Sequence, residues 1–324
     1  MYAQTTSEVI ALLYKKLQNT EINASSIVLG TNYFGTTISN ELSFQMMDTY
    51  LEKGGNVLDT ARIYASWLPN GEGASEKTIG EYMKTRNNRR NIIISTKCAH
   101  PPLGKMNINR LSPFEIESDI DQSLLALDTD YIDILWLHRD DIGTPVNGII
   151  DTLDSMVKKG KILYYGASNW TGKRIGEANR YAKCSGKMPF IASQIKWSLA
   201  KSGIAEDKTL VEMDDVEFEF YSKTKMPVFA YSPQAKGFFT KYDNDKNNLG
   251  DKANSRYLSD ENLKIYNNIK KISNETGVSI SAIVLAYITS QKNFDGLPII
   301  GCSNIEQLCD SLSYTDFDFD INAT

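Results

Sequence analysis

The stretch Tyr131–His138 reads Tyr-Ile-Asp-Ile-Leu-Trp-Leu-His, a short apolar run that ends on an imidazole. Such runs are typical of strands buried in a parallel sheet, and in a barrel of such strands the active site lies at their carboxyl ends. Asn91–Lys97 has the same form and ends on an ammonium, and Asn56–Thr60 carries Asp59 near its end. The three runs therefore predict reactive side chains gathered at one face of a parallel sheet.

Similar runs recur along the whole chain. The predicted strands are Ser26–Thr31, Asn56–Thr60, Asn91–Lys97, Tyr131–His138, Ile162–Ser168, Phe190–Ile195, Pro227–Tyr231 and Leu297–Gly301. Between them lie segments with apolar residues at helical spacing, such as Phe44, Met47 and Leu51. Strands that alternate with helices indicate a parallel α/β sheet, and eight repeats in about 300 residues favour a closed (β/α)8 TIM barrel over an open doubly wound sheet.

We expect one barrel domain over residues 1–324, since this length is ordinary for such a barrel. Residues 1–25 precede the first strand and are expected to form an N-terminal extension with a hairpin. Residues 238–258 follow the seventh strand, are rich in Asn, Asp and Lys, and lack clear periodicity. We expect them to form a long loop that is either functional or mobile.

Composition narrows the class of function. The net charge of −5 argues against nucleic acid as the main partner, because phosphate binding needs a basic face. Four scattered cysteines favour a reducing compartment, and two histidines without a His-Glu-x-x-His pattern predict no metal site. The run Ser7–Lys16 is interrupted by charge and resembles neither a signal peptide nor a spanning helix. We expect a cytoplasmic protein that acts on small molecules away from membranes, with its oligomeric state open.

The side chains needed to donate a proton to a substrate are present at these strand ends, namely Asp59, Tyr64, Lys97 and His138. A free tyrosine has a pKa of about 10, too high for an ideal acid near neutrality, and a neighbouring Lys97 ammonium would lower that pKa. Asp59 could keep the lysine charged, and His138 could donate to the same substrate oxygen. The alternative is an interior Asp59–Lys97 ion pair with two hydrogen-bonded neighbours. Four such residues at strand ends favour catalysis, and the missing hydride source then requires a cofactor.

Polar residues at other strand ends suit a nicotinamide cofactor. No Gly-x-Gly-x-x-Gly follows a predicted strand, so a Rossmann-type site is not supported. Ser168, Asn169 and Gln194 instead offer donors and acceptors for an amide, and Tyr231 offers a ring face for stacking. For each residue taken alone, a strand-end polar group satisfied within the protein is an equally good interpretation.

These motifs resemble the aldo-keto reductase family over nearly the whole chain, from about residue 14 to residue 312. Val28–Gly35 resembles the family's first strand with its Gly-Thr signature. Asp-Thr-Ala-x-x-Tyr at Asp59–Tyr64 matches the motif that bears the catalytic aspartate and tyrosine. Thr96-Lys97 and Leu137-His138-Arg139 match the motifs of the catalytic lysine and histidine.

The resemblance implies a role for each of these residues. Tyr64 would be the general acid, Lys97 and Asp59 the pair that tunes it, and His138 the donor that orients the carbonyl. The implied cofactor-binding residues are Gly30, Thr31, Asn32, Asp59, Ser168, Asn169, Gln194, Tyr231, Ser232, Gln234, Gly237, Gly301, Ser303 and Gln307. In this assignment the nicotinamide carboxamide is bound by Ser168, Asn169 and Gln194, and Tyr231 stacks on the nicotinamide ring. The pyrophosphate lies along Ser232, Gln234 and Gly237.

The stretch Ile299–Leu308 resembles the family's adenosine-binding turn before the last helix, whose amino terminus suits a phosphate. Many members place Arg or Lys near the position of Cys302 or Ser303, where it pairs with the 2′-phosphate of NADP, and this chain has neither there. A charge-assisted contact contributes about 1.5–3 kcal/mol, so its loss weakens a preference for NADP without deciding for NAD. We expect NADPH as cofactor, with NADH as the alternative.

The predicted substrate-binding residues are Arg62, Trp67, Arg139, Asp140 and Trp197. An aromatic wall with several charged groups would suit a hydroxylated carbonyl such as a sugar derivative. Two alternatives remain at this level: Arg139 and Asp140 brace the strand end, and Trp197 is packing. Two other functions also remain open. One is a nicotinamide-sensing regulatory subunit with little turnover. The other is a cofactor-free isomerase or lyase, which would not need the predicted nicotinamide-binding residues Ser168, Asn169, Gln194 and Tyr231 and is therefore disfavoured by them.

Overall fold

A computed structural model describes residues 12–203 and 207–313, and it begins with an antiparallel hairpin followed by a closed barrel of eight parallel strands. The hairpin strands are β1 (Tyr14–Lys16) and β2 (Asn23–Ser25). The barrel strands are β3 (Val28–Gly30), β4 (Val57–Asp59), β5 (Ile93–Cys98), β6 (Ile132–Leu137), β7 (Ile162–Ser168), β8 (Ser193–Lys196), β9 (Val228–Tyr231) and β10 (Gly296–Ile300). The barrel closes where β10 pairs with β3, so the predicted (β/α)8 barrel is confirmed.

Helices surround the barrel. They are α1 (Asn40–Glu52), α2 (Ala74–Arg86), α3 (Pro113–Leu127), α4 (Val146–Lys158), α5 (Gly172–Cys184), α6 (Asp215–Thr224), α7 (Phe238–Asn244), α8 (Asp251–Tyr257), α9 (Asp260–Thr276), α10 (Ile280–Thr289) and α11 (Ile305–Leu312). Short 3-10 turns cover Arg89–Asn91 and Ala235–Gly237. Local sequence explains several ends: the Ser112 hydroxyl accepts from the backbone N–H of Glu115 at the start of α3, with Pro113 at its first position.

The hairpin packs against the starts of the barrel strands. Leu17 and Ile22 of the hairpin region lie in one buried cluster with Val57, Ile134 and Phe229 of three barrel strands. The hairpin therefore covers the amino-terminal end of the barrel interior and leaves the carboxyl ends of the strands for the site. The rest of the N-terminal extension, residues 1–11, including the first half of the run Ser7–Lys16, lies outside the described residues. Within the described residues no helix has the length and apolar character needed to cross a membrane.

The prediction that residues 238–258 form an irregular loop is wrong, because most of them fold into α7 and α8. Phe238, Phe239 and Tyr257 are buried in a cluster with Ile269 of α9 and Ile283 of α10. These helices have seven residues each, too few for a periodic pattern to be visible in the sequence. Tertiary packing of the aromatic residues, more than local propensity, decides their structure.

Candidate active site

The four predicted catalytic residues come together at the carboxyl ends of three neighbouring strands. Asp59 is the last residue of β4, Lys97 lies in β5, and His138 directly follows β6. The register places Asp59 beside Ser95, two residues before Lys97 on the next strand. Because side chains alternate along a strand, Asp59, Ser95 and Lys97 all project to the same side of the sheet. Tyr64 reaches them from the turn after β4.

The Lys97 ammonium lies at the centre of this group. Its Nζ donates to Asp59 Oδ2 at 2.6 Å, to the backbone carbonyl of Thr60 at 2.7 Å and to the Tyr64 hydroxyl at 2.8 Å. An ammonium has three donors, so all three are used. Since the Tyr64 oxygen accepts from Lys97, its own proton is directed elsewhere. Within the described residues that proton has only a long contact, 3.4 Å from the phenol oxygen to Asp59 Oδ2.

Asp59 is held by two further donors. Its Oδ1 accepts from Ser95 Oγ at 2.9 Å and from Gln194 Nε2 at 2.9 Å. Ser95 Oγ in turn accepts from the indole Nε1 of Trp136 at 2.7 Å. Both oxygens of this carboxylate are therefore held by donors, which fixes its orientation. The buried Asp59–Lys97 ion pair is therefore fully hydrogen-bonded, which a buried ion pair requires to be tolerated.

The pKa of Tyr64 differs in direction from the prediction. Burial raises it well above its usual value, the Asp59 carboxylate raises it further, and Arg139 lowers it only in part. Burial also lowers the pKa of Lys97, against the pull of Asp59. The lowering of the Tyr64 pKa that the sequence suggested is therefore wrong, because burial and the Asp59 carboxylate raise this pKa more than Arg139 lowers it. Tyr64 is present as a phenol at neutral pH and keeps its proton until a stronger acceptor meets it.

His138 is neutral at physiological pH. Burial, helped by the nearby Arg139, His100 and Lys97, lowers its pKa well below the usual value. Its Nδ1 is buried and has no hydrogen-bond partner among the described residues, so Nε2 is the ring nitrogen able to meet a substrate. The rings of Tyr64 and His138 are 6.3 Å apart between centroids. A neutral imidazole has one N–H, and both rings can therefore donate toward one oxygen placed between them.

The predicted amide-binding residues also converge, at the ends of β7, β8 and β9. Asn169 has a left-handed backbone with φ 59°; its Nδ2 donates to Ser168 Oγ at 3.1 Å and its Oδ1 accepts from the Tyr231 hydroxyl at 2.7 Å. Because Gln194 Nε2 already donates to Asp59, its Oε1 is the atom left to accept from a carboxamide, with no partner among the described residues. Asn169 Nδ2 also donates to the His138 carbonyl at 3.3 Å, and its Oδ1 also accepts from the Val211 N–H at 3.2 Å. The Asn169 amide is therefore satisfied within the protein, and Gln194 Oε1 and the Ser168 hydroxyl are the groups left to meet a nicotinamide carboxamide.

The turn after β9 is the segment that the sequence assigns to the pyrophosphate. Ser232, Ala235, Lys236 and Gly237 all have positive φ, between 48° and 73°. The backbone N–H of Ala235 donates to the Ser232 carbonyl, and those of Gly237 and Phe238 donate to the Gln234 carbonyl, so these three donors are used within the turn. The Gln234 side chain, predicted to bind the cofactor, instead donates to Ser281 Oγ at 2.7 Å.

The remaining predicted cofactor-binding residues lie at two more strand ends. Gly30, the last residue of β3, packs closely on β10, since a Cβ added there would lie 3.0 Å from Ile299 Cγ2. The Thr31 hydroxyl donates to the Asp59 backbone carbonyl at 3.0 Å, within the protein. Asn32, which follows, is half-buried.

The turn after β10 is capped from within. Asn304 Oδ1 accepts from the backbone N–H of Gln307, whose Oε1 accepts from the backbone N–H of Ser303, both at 2.9 Å. This reciprocal cap uses the Gln307 side chain. Cys302 is buried, whereas Ser303 is exposed and a Cβ on Gly301 would meet nothing within 4 Å.

The predicted substrate-binding residues separate into two groups. Arg139 is half-buried beside the site, where its Nη1 donates to the His138 carbonyl at 2.8 Å, and Trp67 is 47% exposed with its ring edge-on to Tyr33. The other three residues make structural contacts. Trp197 is 2% exposed and packs on the rings of Tyr287 and Phe294. Asp140 forms an ion pair with Arg174 at 3.3 Å, and Arg62 forms one with Glu72 at 3.6 Å. The bracing and packing interpretations therefore fit Asp140 and Trp197.

Sequence reasoning missed His100. It follows β5 by two residues, and its ring centroid lies 4.6 Å from that of His138. The sequence feature that could have identified His100 as a site residue is its position just after the strand that carries Lys97.

Comparisons with known proteins agree with this geometry. The model of the Aldo/keto reductase family matches residues 26–323. The chain is 28% identical to norsolorinic acid reductase B of Dothistroma septosporum, covering 94% of this chain and 78% of that protein. It is 28% identical to an aryl-alcohol dehydrogenase of Pestalotiopsis microspora (87% and 74% covered) and to an uncharacterized oxidoreductase of Bacillus subtilis (95% and 92% covered). The chain therefore belongs to the aldo/keto reductase family and is an NAD(P)H-dependent oxidoreductase.

Proposed function

We propose that this protein reduces an aldehyde or ketone to an alcohol with Tyr64 as the proton donor. The observation that supports this most directly is the direction of the Tyr64 proton. Lys97 Nζ donates to the phenol oxygen at 2.8 Å, so that oxygen is an acceptor there. Its proton has only the long 3.4 Å contact to Asp59 Oδ2, which a substrate oxygen can replace.

Each residue then has a separate task. Tyr64 transfers its proton to the carbonyl oxygen as negative charge develops on that atom. The Lys97 ammonium stabilises the phenolate that remains, and Asp59 keeps the ammonium charged and oriented at 2.6 Å. Neutral His138 donates its N–H to the same oxygen and so orients the carbonyl. General acid catalysis of this kind typically contributes about 10²–10⁴-fold to the rate.

A nicotinamide cofactor, when bound, supplies the hydride. Ser168 and Gln194 would hold its carboxamide and Tyr231 its ring. We propose NADPH as the preferred form. The exposed Ser303 offers a hydroxyl and no charge to a 2′-phosphate, so we expect the preference over NADH to be small.

The substrate is proposed to be a carbonyl compound that carries hydroxyl groups. The half-buried Arg139 guanidinium beside His138 and the half-exposed Trp67, three residues after Tyr64, provide a polar and an aromatic surface for such a compound. The name of the aryl-alcohol dehydrogenase relative favours an aromatic carbonyl, and the charged groups also suit a sugar derivative. A screen of hydroxybenzaldehydes, polyhydroxy aldehydes and long-chain ketones separates these classes. Turnover of the long-chain ketones alone would contradict the proposal.

The mechanism is tested with Tyr64→Phe. We expect carbonyl reduction to be lost while nicotinamide binding, followed by quenching of tryptophan fluorescence, stays nearly the same. Tyr14→Phe is the matched control, because Tyr14 donates to the Gly54 carbonyl in the hairpin region, away from the strand ends that form the site. An active Tyr64→Phe protein would refute Tyr64 as the acid. A wild-type protein that binds neither NADPH nor NADH would refute the cofactor assignment.

A further inference from the structure

The two histidines of the chain meet in the active site. His100 and His138 have ring centroids 4.6 Å apart, with an angle of 71° between the ring planes. His138 was assigned to the reacting oxygen above, and His100 has no task in that mechanism.

The backbone holds His100 firmly in this place. Ala99 has a left-handed backbone with φ 59°, which is uncommon for a residue other than glycine. Its N–H donates to Asp119 Oδ2 at 2.8 Å, and the His100 carbonyl accepts from Arg110 Nη1 at 3.3 Å. Arg110 also grips Asp119 with two hydrogen bonds of 2.8 and 2.9 Å. Unusual backbone conformations that the surroundings enforce are often found at functional sites.

The tautomer of His100 follows from one contact. Its Nδ1 lies 2.6 Å from the carbonyl oxygen of Pro101, and because a carbonyl can only accept, Nδ1 carries the proton. Burial, with Arg139 nearby, lowers the pKa of His100 to about 4, so the ring is neutral at physiological pH. Nε2 therefore presents a lone pair. This atom has no hydrogen-bond partner within residues 12–203 and 207–313, and the side chain is only partly buried.

We propose that Nε2 of His100 accepts a hydrogen bond from a hydroxyl group on the substrate, close to the reacting carbonyl. The inference rests on the proposed function, since it places the carbonyl against His138. Two adjacent rings then present opposite groups, a donor from His138 and an acceptor from His100, which matches a hydroxy-carbonyl compound. A substrate without that hydroxyl would leave the acceptor unpaired, and sites that bind a substrate hydroxyl discriminate strongly against analogues that lack it.

The test compares substrates that differ only by hydroxyl and methyl. kcat/KM is measured for 2-, 3- and 4-hydroxybenzaldehyde against the corresponding methylbenzaldehydes, and for glycolaldehyde against propanal, in the wild type and in His100→Phe. We expect the hydroxyl-to-methyl ratio to fall about five- to tenfold for at least one pair in the variant, as the loss of one hydrogen bond of about 1 kcal/mol predicts. His100→Gln, which can keep an acceptor, should restore part of the ratio.

Leu103→Ala, in the same loop, is the control and should leave every ratio unchanged, because Leu103 is exposed. If the Phe variant does not fold, His100→Leu provides the same comparison. Unchanged ratios in all pairs would overturn the proposal, and so would equal losses for both members of every pair, which would mean that His100 only positions His138. A wild type that reduces none of these carbonyls would instead contradict the proposed function.

Discussion

Replacing Asp59 by Asn should convert Lys97 from a charged to a neutral residue. At the 2.6 Å separation of Lys97 Nζ and Asp59 Oδ2, the attraction is about 6 kcal/mol for an effective dielectric constant of about 20. Without it, a buried ammonium would face a neutral amide, whose oxygen can accept a hydrogen bond but carries no compensating charge. Releasing the proton at pH 7.5 costs about 4 kcal/mol, from the ordinary lysine pKa of about 10.4. Because releasing the proton costs less than keeping the unpaired ammonium buried, Lys97 becomes neutral in the folded variant. We therefore expect Asp59→Asn to lower the free energy of unfolding by about 3–4 kcal/mol at that pH.

The pH dependence of this loss identifies its cause. In the unfolded variant Lys97 is protonated up to about pH 10.4, while in the folded variant it is neutral, so the unfolded state binds one more proton. The stability of the variant then rises with pH by about 1.4 kcal/mol per unit. Urea unfolding at several pH values should show the difference from wild type shrinking to about 1 kcal/mol near pH 9.5. kcat should fall about 10²–10⁴-fold, because the ammonium that donates to the phenol oxygen is no longer charged to stabilise the phenolate.

Asp133→Asn is the matched control. Asp133 Oδ2 pairs with Arg89 Nη2 at 2.7 Å near the start of β6, at the end of the barrel opposite the site. This variant should also lose stability, but by an amount that does not change between pH 7.5 and 9.5, because arginine stays charged. Turnover should persist. A loss in Asp59→Asn that is below about 1 kcal/mol, or that is constant over this pH range, would refute the claim that Asp59 keeps Lys97 charged.

Three more predictions concern other parts of the site. The pKa of His100 is about 4 in the folded protein and about 6.5 in the unfolded chain, so only the unfolded state gains a proton as the pH falls between these values. Between pH 7 and pH 4.5 the wild type should therefore lose up to about 2–3 kcal/mol of its free energy of unfolding, and His100→Phe should not show this loss. Urea unfolding of both proteins at the two pH values measures the difference. Equal acid sensitivity of the two proteins would contradict this. Ser303→Arg should improve the binding of NADPH over NADH by about tenfold or more, measured by tryptophan quenching; an unchanged ratio would place the 2′-phosphate elsewhere. Tyr231→Phe removes the 2.7 Å hydrogen bond to Asn169 Oδ1 and should raise the nicotinamide Kd about fivefold, and an unchanged Kd would mean that Asn169 is held without it.

The sequence by itself determined the barrel and the placement of its reactive residues. Apolar runs such as Tyr131–His138 identify buried strands, and their alternation with helical segments identifies parallel crossovers. Because parallel strands share one carboxyl end, residues at the ends of such runs are expected at one face. Asp59, Lys97 and His138 could therefore be grouped without coordinates. These are local properties, set by the period of the side chains and the direction of the strands.

Only the tertiary structure decided the contacts that depend on closure and packing. The hydrogen bond from Gln194 to Asp59 joins residues 135 positions apart, across the barrel interior, and requires the closed ring of strands. The edge-on contact of His100 with His138 depends on the left-handed turn at Ala99, which no sequence pattern marks. The direction of the Tyr64 pKa shift was reversed by burial, and desolvation depends on all the atoms around a group. A sequence pattern indicates which face a side chain lies on, whereas the distances and dielectric that control its chemistry arise only when distant segments pack together.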